Sequence, residues 1–255
     1  MSLKEKLLSG QKIYGTMIRI VRNPAICYLA KNSGLDFVMY DCEHSGFSME
    51  SLHDLFITGN ALGLGGFLRV PNLAKEYISR ALDQGAQGVM VPMLETPEMA
   101  KDLVKYSKYH PIGARGFANG VAHVNYVMGG KYTEVMEQAN NTIISIAQIE
   151  TKLAVDNADA IAATPGIDAL LIGPSDLSLS LGIPGDLFNP IEIEAISHVA
   201  AACKKHKKAF GVHGPAGLQE KFINDMTLIM FQTDTDVLAA GLAKIKETCL
   251  GLSGK

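Results

Sequence analysis

Short apolar segments alternate with longer amphipathic segments along the chain. Several of the short segments are apolar at almost every position, which is typical of strands buried on both faces. The predicted strands cover residues 15–20, 36–40, 66–70, 88–92, 143–149, 169–172, 209–212 and 227–231. Apolar residues at helical spacing lie between them, at residues 50–61, 73–84, 97–106, 152–163, 190–205 and 236–250.

This alternation predicts βα units and a parallel sheet. Eight strands with seven to eight helices close most simply into a (β/α)₈ barrel (TIM barrel), and 255 residues match the typical size of that fold, about 250 residues. An open doubly wound sheet is the alternative. Because the chain has neither a composition break nor an internal repeat, we expect a single domain over residues 1–255. The pair Asn23-Pro24 predicts a helix N-terminus, with Asn23 as the cap.

Composition and charge exclude several classes of protein. With 47% hydrophobic and 19% charged residues, the chain can bury a large core and is not of the disordered class. Its net charge is −3, and its Lys and Arg residues form no long basic stripe, so we expect no nucleic-acid partner. No apolar segment is long enough for a membrane span, and the first residues lack a signal-peptide core, which favours a cytoplasmic protein without a membrane partner.

Residues 109–132 contain five glycines and predict a long loop after the fourth helix. Long loops in compact barrels are commonly active-site lids, so the sequence favours a lid here. A flexible crossover between two barrel units is the alternative.

Polar residues stand where the predicted strands end, and barrel active sites lie at the carboxyl ends of the strands. A single His or Asp at a strand end is more often a turn or cap residue, but together these residues predict one site. The set comprises Asp41, Glu43 and His44 of strand two, Arg69 of strand three, Gln148 and Glu150 of strand five, residues 173–178 after strand six, and His213 after strand seven.

The residue types favour metal-assisted chemistry on an oxygen-rich substrate. Glu150 and Asp176 are hard oxygen ligands on successive strands and suit Mg²⁺ or Mn²⁺. For Asp176 a helix N-cap is the alternative, and the carboxylate of Glu150 beside it favours the metal role. Arg69 can stabilise negative charge on an oxygen, and His44 can act as a general base. The backbone N–H groups after Gly173 can hold a carboxylate. No lysine is predicted at a strand end, which argues against a Schiff-base aldolase.

Seven segments, in order along the chain, resemble the HpcH/HpaI family of class II pyruvate aldolases, which includes 4-hydroxy-2-oxo-heptanedioate aldolase and 2-dehydro-3-deoxyglucarate aldolase. They are YDCEH (40–44), LRV (68–70), ALDQGAQG (81–88), VPM (91–93), GARG (113–116), QIET (148–151) and IGPSDLS (172–178). The resemblance implies a TIM barrel of the pyruvate-binding type. It also implies a lyase that converts a 4-hydroxy-2-oxo acid to pyruvate and an aldehyde.

The resemblance further implies a divalent ion (Mg²⁺, Mn²⁺ or Co²⁺) and a homohexamer built as a trimer of dimers. The helix at about 236–250 would be exchanged between subunits. The resemblance implies that Glu150 and Asp176 ligate the metal, that His44 transfers the proton and that Arg69 stabilises the enolate. It implies that Asp83 of a neighbouring subunit orients His44 and that Asp41 hydrogen-bonds Arg69 or a water. The substrate would be bound by Gln148, by Gly173 and by the N–H groups of Ser175 and Asp176.

The chain departs from the family pattern at Arg19, at Gln232 and over residues 117–126. The resemblance therefore leaves the identity of the aldehyde undecided, whereas it does specify pyruvate as the other half of the substrate. We hypothesise that Arg19 or Arg22 pairs with a distal carboxylate or hydroxyl of that partner. A surface arginine is the alternative. Two other activities fit the same barrel, an oxaloacetate-type decarboxylase and a CoA-ester lyase, and a non-catalytic scaffold is the third alternative.

Overall fold

The computed structural model describes residues 1–252 as a parallel barrel surrounded by helices. The strands are β1 (Ile13–Ile18), β2 (Phe37–Asp41), β3 (Gly65–Arg69), β4 (Gly88–Val91), β5 (Ile144–Ile149), β6 (Ala169–Ile172), β7 (Ala209–Val212) and β8 (Leu228–Thr233). The helices are α1 (Leu3–Leu8), α2 (Ala25–Asn32), α3 (Met49–Leu62), α4 (Lys75–Asp83), α5 (Pro97–Ser107), α6 (Tyr132–Thr142), α7 (Lys152–Asp156), α8 (Ala158–Ala163), α9 (Pro174–Ser180), α10 (Pro190–Lys205), α11 (Ala216–Phe222) and α12 (Asp234–Leu252).

The strand order identifies the architecture. Each strand from β1 to β6 pairs in parallel with the next, and β1 also pairs with β8. Between β7 and β8 the Thr227 N–H donates to the Phe210 carbonyl at 3.0 Å, so the sheet is nearly closed. An open doubly wound sheet reverses its strand order part way across, which this sheet does not. The predicted (β/α)₈ barrel is therefore confirmed.

The predicted strand boundaries lie within two residues of those observed, and β6, β7 and α10 begin and end where the pattern places them. The predicted helix at 152–163 is two helices, α7 and α8, which meet at Asn157. The α2 helix begins at Ala25, one residue later than predicted, and the Asn23 side chain accepts the Ala25 N–H at 2.9 Å.

The barrel interior is filled by side chains from alternate strand positions. Phe37 and Phe67 stack there with their ring centroids 4.8 Å apart. Gly15 makes room for this stack, because a Cβ at that position would lie 2.6 Å from the Phe37 ring. Helix α1 closes the amino-terminal end, with Leu7 buried against the interior and Lys4 Nζ 2.9 Å from Asp168 Oδ1.

The last helix differs from the others because it packs on little of its own barrel. In α12 only Asp234 is buried, although the helix presents several large apolar side chains. The exposed ones are Val237, Leu238, Leu242, Ile245, Leu250 and Leu252. Among the described residues, no helix has the length and apolar character that a membrane span requires.

Candidate active site

The two-residue period of a strand builds the site, because alternate residues face the barrel interior. In β2 the inward residues Phe37 and Met39 are followed by Asp41, and in β3 the inward Phe67 is followed by Arg69. The last inward position of each of these two strands is therefore polar. These side chains meet at the carboxyl ends of the strands, around a cavity of about 610 Å³ that we call the mouth.

Arg69 is the buried cation of the mouth. Its Nε and Nη2 donate to Asp41 Oδ1 and Oδ2 at 2.9 and 2.7 Å, and its Nη1 lies 2.8 Å from Glu43 Oε2. Both Arg69 and Asp41 are buried. Burial by itself raises the pKa of Asp41, but the hydrogen bonds and charge of Arg69 outweigh it and hold that pKa below its usual range. The pair therefore remains ionised and fixes the guanidinium in place.

Asp41 also organises two neighbours. Its Oδ1 accepts the backbone N–H groups of Glu43 and His44 at 3.0 and 3.3 Å, and its Oδ2 accepts Arg19 Nε at 3.1 Å. The His44 side chain is more than half exposed and borders the mouth, with Nε2 3.8 Å from Glu43 Oε2. An exposed imidazole at this position can exchange protons with a molecule in the cavity.

Glu150 is a buried carboxylate beside the mouth, in contact with the lining residue Gln148. Its Oε1 accepts the Met93 N–H at 2.7 Å, and its Oε2 accepts the Gln148 side-chain N–H. Burial, together with the nearby carboxylates of Glu43 and Asp176, raises the pKa of Glu150 to about 7. A carboxylate in this position is stabilised by a bound cation.

Asp176 and Ser175 are exposed in the first turn of α9, and both border the mouth. N–H groups in the first turn of a helix have no intrahelical acceptor, so they are available to an anion. Gly173 leaves the space open, because a Cβ there would lie 2.5 Å from Glu150 Oε2.

The donor set fits a divalent cation that shares its coordination with substrate. Among residues 1–252, no group of three or more His, Cys, Asp or Glu side chains is arranged to hold a metal ion. Glu150 and Asp176 would supply two oxygen ligands, and substrate oxygens and waters would complete the set, as Mg²⁺ accepts. Gln148 Oε1 is buried and has no protein partner among the described residues, which leaves one more polar atom for a ligand.

Asp83 lies away from the mouth of its own barrel. It is the last residue of α4, near the amino-terminal ends of the strands, and its Oδ1 accepts Arg115 Nη2 at 2.6 Å. Within one chain it therefore does not approach His44. The role predicted for Asp83 requires a second subunit.

The predicted lid over the mouth is wrong for this chain's own barrel. None of residues 109–132 borders the mouth. The segment instead runs past the amino-terminal end of the barrel and over α3, where Tyr126 Oη lies 2.7 Å from His53 Nε2. Part of it borders a second cavity with Leu3, Gln87 and α6. It is a crossover, the alternative that the sequence left open.

Sequence reasoning gave no role to three groups that hold the site together. Glu43 was visible as a strand-end carboxylate, but its pairing with Arg69 was not. Met93 acts through its backbone at a positive φ of 50°, which residue type does not reveal. Asp234 Oδ1 accepts the Arg19 N–H, and its Oδ2 accepts those of Ile20 and Val21, so it fixes the end of β1.

The chain is similar to known aldolases over most of its length. It is 33% identical over 247 residues to a 4-hydroxy-4-methyl-2-oxoglutarate aldolase of Hapsidospora irregularis, covering 94% of this chain and 91% of the relative. It is 33% identical over 218 residues to a 5-keto-4-deoxy-D-glucarate aldolase of Salmonella arizonae, covering 85% of this chain and 84% of the relative. Because both relatives are named as aldolases, the prediction of a carbon–carbon lyase is confirmed.

Solved structures agree with the observed fold. An HpcH/HpaI aldolase from Desulfitobacterium hafniense DCB-2 superposes with a TM-score of 0.92 at 30% identity, covering 98% of this chain and 97% of that one. A citrate lyase beta subunit from M. tuberculosis, solved with oxaloacetate and magnesium, shares only the fold, with a TM-score of 0.58 at 15% identity. The sequence profile of the HpcH/HpaI aldolase/citrate lyase family matches residues 20–232. The resemblance seen in the sequence is thus confirmed, and the chain belongs to the HpcH/HpaI aldolase/citrate lyase family.

Proposed function

We propose that this protein is a metal-dependent aldolase that reversibly cleaves a 4-hydroxy-2-oxo acid to pyruvate and a carbonyl acceptor. The observation that carries the proposal is that buried Arg69, fixed by Asp41, borders the same mouth as Asp176, with Glu150 directly behind the lining residues Gln148 and Gly173. A fixed cation and two carboxylates in one mouth suit the binding of a 2-oxo acid whose enolate bears negative charge.

Glu150 and Asp176 would hold the metal ion, for which Mg²⁺, Mn²⁺ and Co²⁺ are the candidates. When bound, such an ion supplies a Lewis acid for the oxygens of the 2-oxo acid. The charge of Asp176 contributes to the raised pKa of Glu150, and a bound divalent cation would offset that repulsion.

The remaining steps belong to the chain's own residues. The N–H groups of Ser175 and Asp176 would bind the substrate carboxylate in the space left by Gly173, and Gln148 would orient the keto group. His44 would accept the proton of the C4 hydroxyl as the C3–C4 bond breaks. The electron pair of that bond becomes the pyruvate enolate, which Arg69 stabilises, and the acceptor leaves as a carbonyl compound. Protonation of the enolate at C3 then gives pyruvate.

The C-terminal helix supports a proposal about assembly. Helix α12 exposes a row of apolar side chains, and the outer wall of its own barrel near β1 and α2 exposes Tyr14, Tyr28 and Leu29. A second copy of the chain would cover both surfaces if the helices were exchanged, with residues 1–252 remaining a single domain. We propose the homohexamer on this basis. In such an assembly Asp83 of a neighbouring subunit would approach His44.

Oxaloacetate decarboxylation is the second candidate activity, because it requires only the half of the site that stabilises the enolate. A CoA-ester lyase is less well supported, since the mouth offers Arg19 and Arg69 but no lysine for the nucleotide phosphates. A cytoplasmic location remains part of the proposal, together with the absence of nucleic-acid and membrane partners.

The test is pyruvate release from racemic 4-hydroxy-2-oxo acids of several lengths, first with EDTA and then with Mg²⁺, Mn²⁺ or Co²⁺ restored. We expect release only with a metal present. Full activity in metal-free buffer would contradict the metal role. If no acid released pyruvate while oxaloacetate was still decarboxylated, the second candidate activity would replace the first.

A further inference from the structure

Arg19 occupies the wall of the mouth that belongs to β1. It follows the last residue of that strand, and its backbone N–H donates to Asp234 Oδ1 at 2.9 Å. Its Nε donates to Asp41 Oδ2 at 3.1 Å, while Nη1 and Nη2 have no hydrogen-bond acceptor among residues 1–252. The side chain is 36% exposed and borders the cavity. The guanidinium is therefore held at one edge and open at the other.

The charge on Arg19 is only partly balanced by the groups around it, because its ion-pair partner Asp41 is shared with Arg69. Two further carboxylates nearby are already hydrogen-bonded: Asp234 accepts backbone N–H groups of residues 19–21, and Asp236 accepts the Thr233 N–H and hydroxyl, each at 2.8 Å. Burial, with the like charges of Arg69 and Arg19, lowers the pKa of His213 to about 4, so that imidazole is neutral at pH 7. Arg19 is thus the cation that this wall offers to a ligand.

The position of Arg19 indicates how a bound substrate is oriented across the mouth. In an eight-stranded barrel β1 lies opposite β5, which Glu150 directly follows. A molecule whose 2-oxo acid end is held at Glu150 and Asp176 must extend toward other walls of the mouth. At the wall formed by β1 and β8, the free edge of Arg19 presents the fork of N–H donors that matches a carboxylate.

Gln232 adds a second polar group at the same wall. The pairing of β1 with β8 shifts in register between Gly15 and Met17, and Gln232 has a positive φ of 56°. Such irregularities redirect side chains next to active sites. The Gln232 side chain borders the cavity, and its carbonyl oxygen lies 3.1 Å from Thr16 Oγ1 and 3.3 Å from His213 Nε2, which hold the backbone in this conformation.

We propose that Arg19 determines substrate specificity by binding a carboxylate at the far end of the acceptor, with Gln232 beside it. The acceptor released is then an anionic carbonyl compound. This inference rests on the aldolase function proposed above and names a residue that sets its preference among acceptors.

The test compares two 4-hydroxy-2-oxo acids of equal length, one ending in a carboxylate and the other in a carboxamide. The wild-type enzyme should show a higher kcat/KM for the carboxylate. Arg19→Gln should lower that preference about 10- to 100-fold, the range of a charge-assisted hydrogen bond. Arg19→Lys should keep part of it. Because the ratio is measured on one preparation, partial loss of folded enzyme does not affect it.

Arg22→Gln is the matched control. The Arg22 guanidinium donates to the carbonyls of Ile20 and Gly46 and does not border the mouth, so its loss should leave the ratio unchanged. An equal preference in wild type and Arg19→Gln would overturn the inference while leaving the aldolase function intact. Release of pyruvate from neither acid by the wild-type enzyme would overturn the aldolase function, and the inference with it.

Discussion

Asp41 and Arg69 are direct partners in the register of β2 and β3, and they form a buried two-point ion pair at 2.9 and 2.7 Å. Paired positions on parallel neighbouring strands point to the same side of the sheet. The register that packs Phe37 and Met39 inside the barrel therefore also places the carboxylate against the guanidinium. Core packing and the site are fixed by the same strand pairing.

Asp41→Asn should cost both stability and activity. Breaking a buried ion pair by removing one partner leaves an uncompensated charge and costs about 3–5 kcal/mol. Arg69 would also lose the two-point contact that orients it, and a misplacement of about 1 Å lowers rates by about 10²-fold. Urea unfolding measures the first effect, and kcat for pyruvate release measures the second. Unchanged values for both would mean that the pair has no such role.

The control is Asp159→Asn, which removes an exposed carboxylate that pairs with Lys205 and His206. No measurable change is expected there, because exposed pairs contribute little.

Acid unfolding adds a second comparison. The pKa of Asp41 is lowered in the folded state. Its contribution to the free energy of unfolding is therefore present above the ordinary pKa of 3.8 and is lost as the pH falls through the pKa that Asp41 has in the folded protein. Asp41→Asn should lack this part of the acid sensitivity.

Much of this site follows from strand periodicity alone. Asp41, Arg69 and Gln148 each stand at the last inward position of an apolar strand, and Glu150 follows directly after β5, so their convergence is predictable once a barrel is assumed. The crossover at residues 109–132 is different, because its course depends on contacts distant in sequence, such as Arg115 with Asp83. Helix α1 is too short for periodicity, but the spacing of Ser2 and Glu5 was a readable capping box.

Glu150→Gln should abolish the stabilisation by metal. A ligand present at 100 times its Kd raises the free energy of unfolding by about 2.7 kcal/mol, and this gain requires the ligating carboxylate. Thermal unfolding with and without Mn²⁺ measures it as a shift in Tm. We expect the shift in wild type and not in the variant.

Glu192→Gln is the matched control for that experiment. Burial, with the charge of Asp186, raises the pKa of Glu192 to about 7, as for Glu150, but Glu192 lies in α10 and does not border the mouth. Its removal should leave the metal-dependent shift in Tm intact. A shift that survives in Glu150→Gln would place the metal elsewhere, and a shift lost in both variants would indicate a general effect of removing buried carboxyls.

Leu242→Glu should weaken the assembly. Leu242 is 66% exposed near the middle of α12, and a charge there cannot be buried against a second subunit without a large desolvation cost. Sedimentation velocity should show smaller species than the wild-type protein. Lys246→Gln, a polar replacement on the same helix, should leave the distribution unchanged. A wild-type monomer would contradict the hexamer, and an unaltered oligomer in Leu242→Glu would remove α12 from its interface.

The titration of Lys108 should make the free energy of unfolding rise with pH. The side chain is buried, with Nζ 3.4 Å from Asp168 Oδ2. Burial, opposed by the charge of Asp168, lowers the pKa of Lys108 to about 7 from an ordinary value of 10.5. Between these values the unfolded chain binds a proton that the folded protein lacks. The free energy of unfolding therefore rises with pH, by up to about 1.4 kcal/mol per pH unit for one proton.

Lys108→Met should remove this rise. Urea unfolding at pH 7, 7.5, 8 and 8.5 should give a steeper increase in the wild type than in the variant, in which Asp168 still pairs with Lys4. Lys101→Met, which removes an exposed lysine paired with Glu98, should follow the wild-type curve. Parallel curves for wild type and Lys108→Met would mean that Lys108 keeps its proton in the folded protein, and the charge of Asp168 would then outweigh the cost of burial.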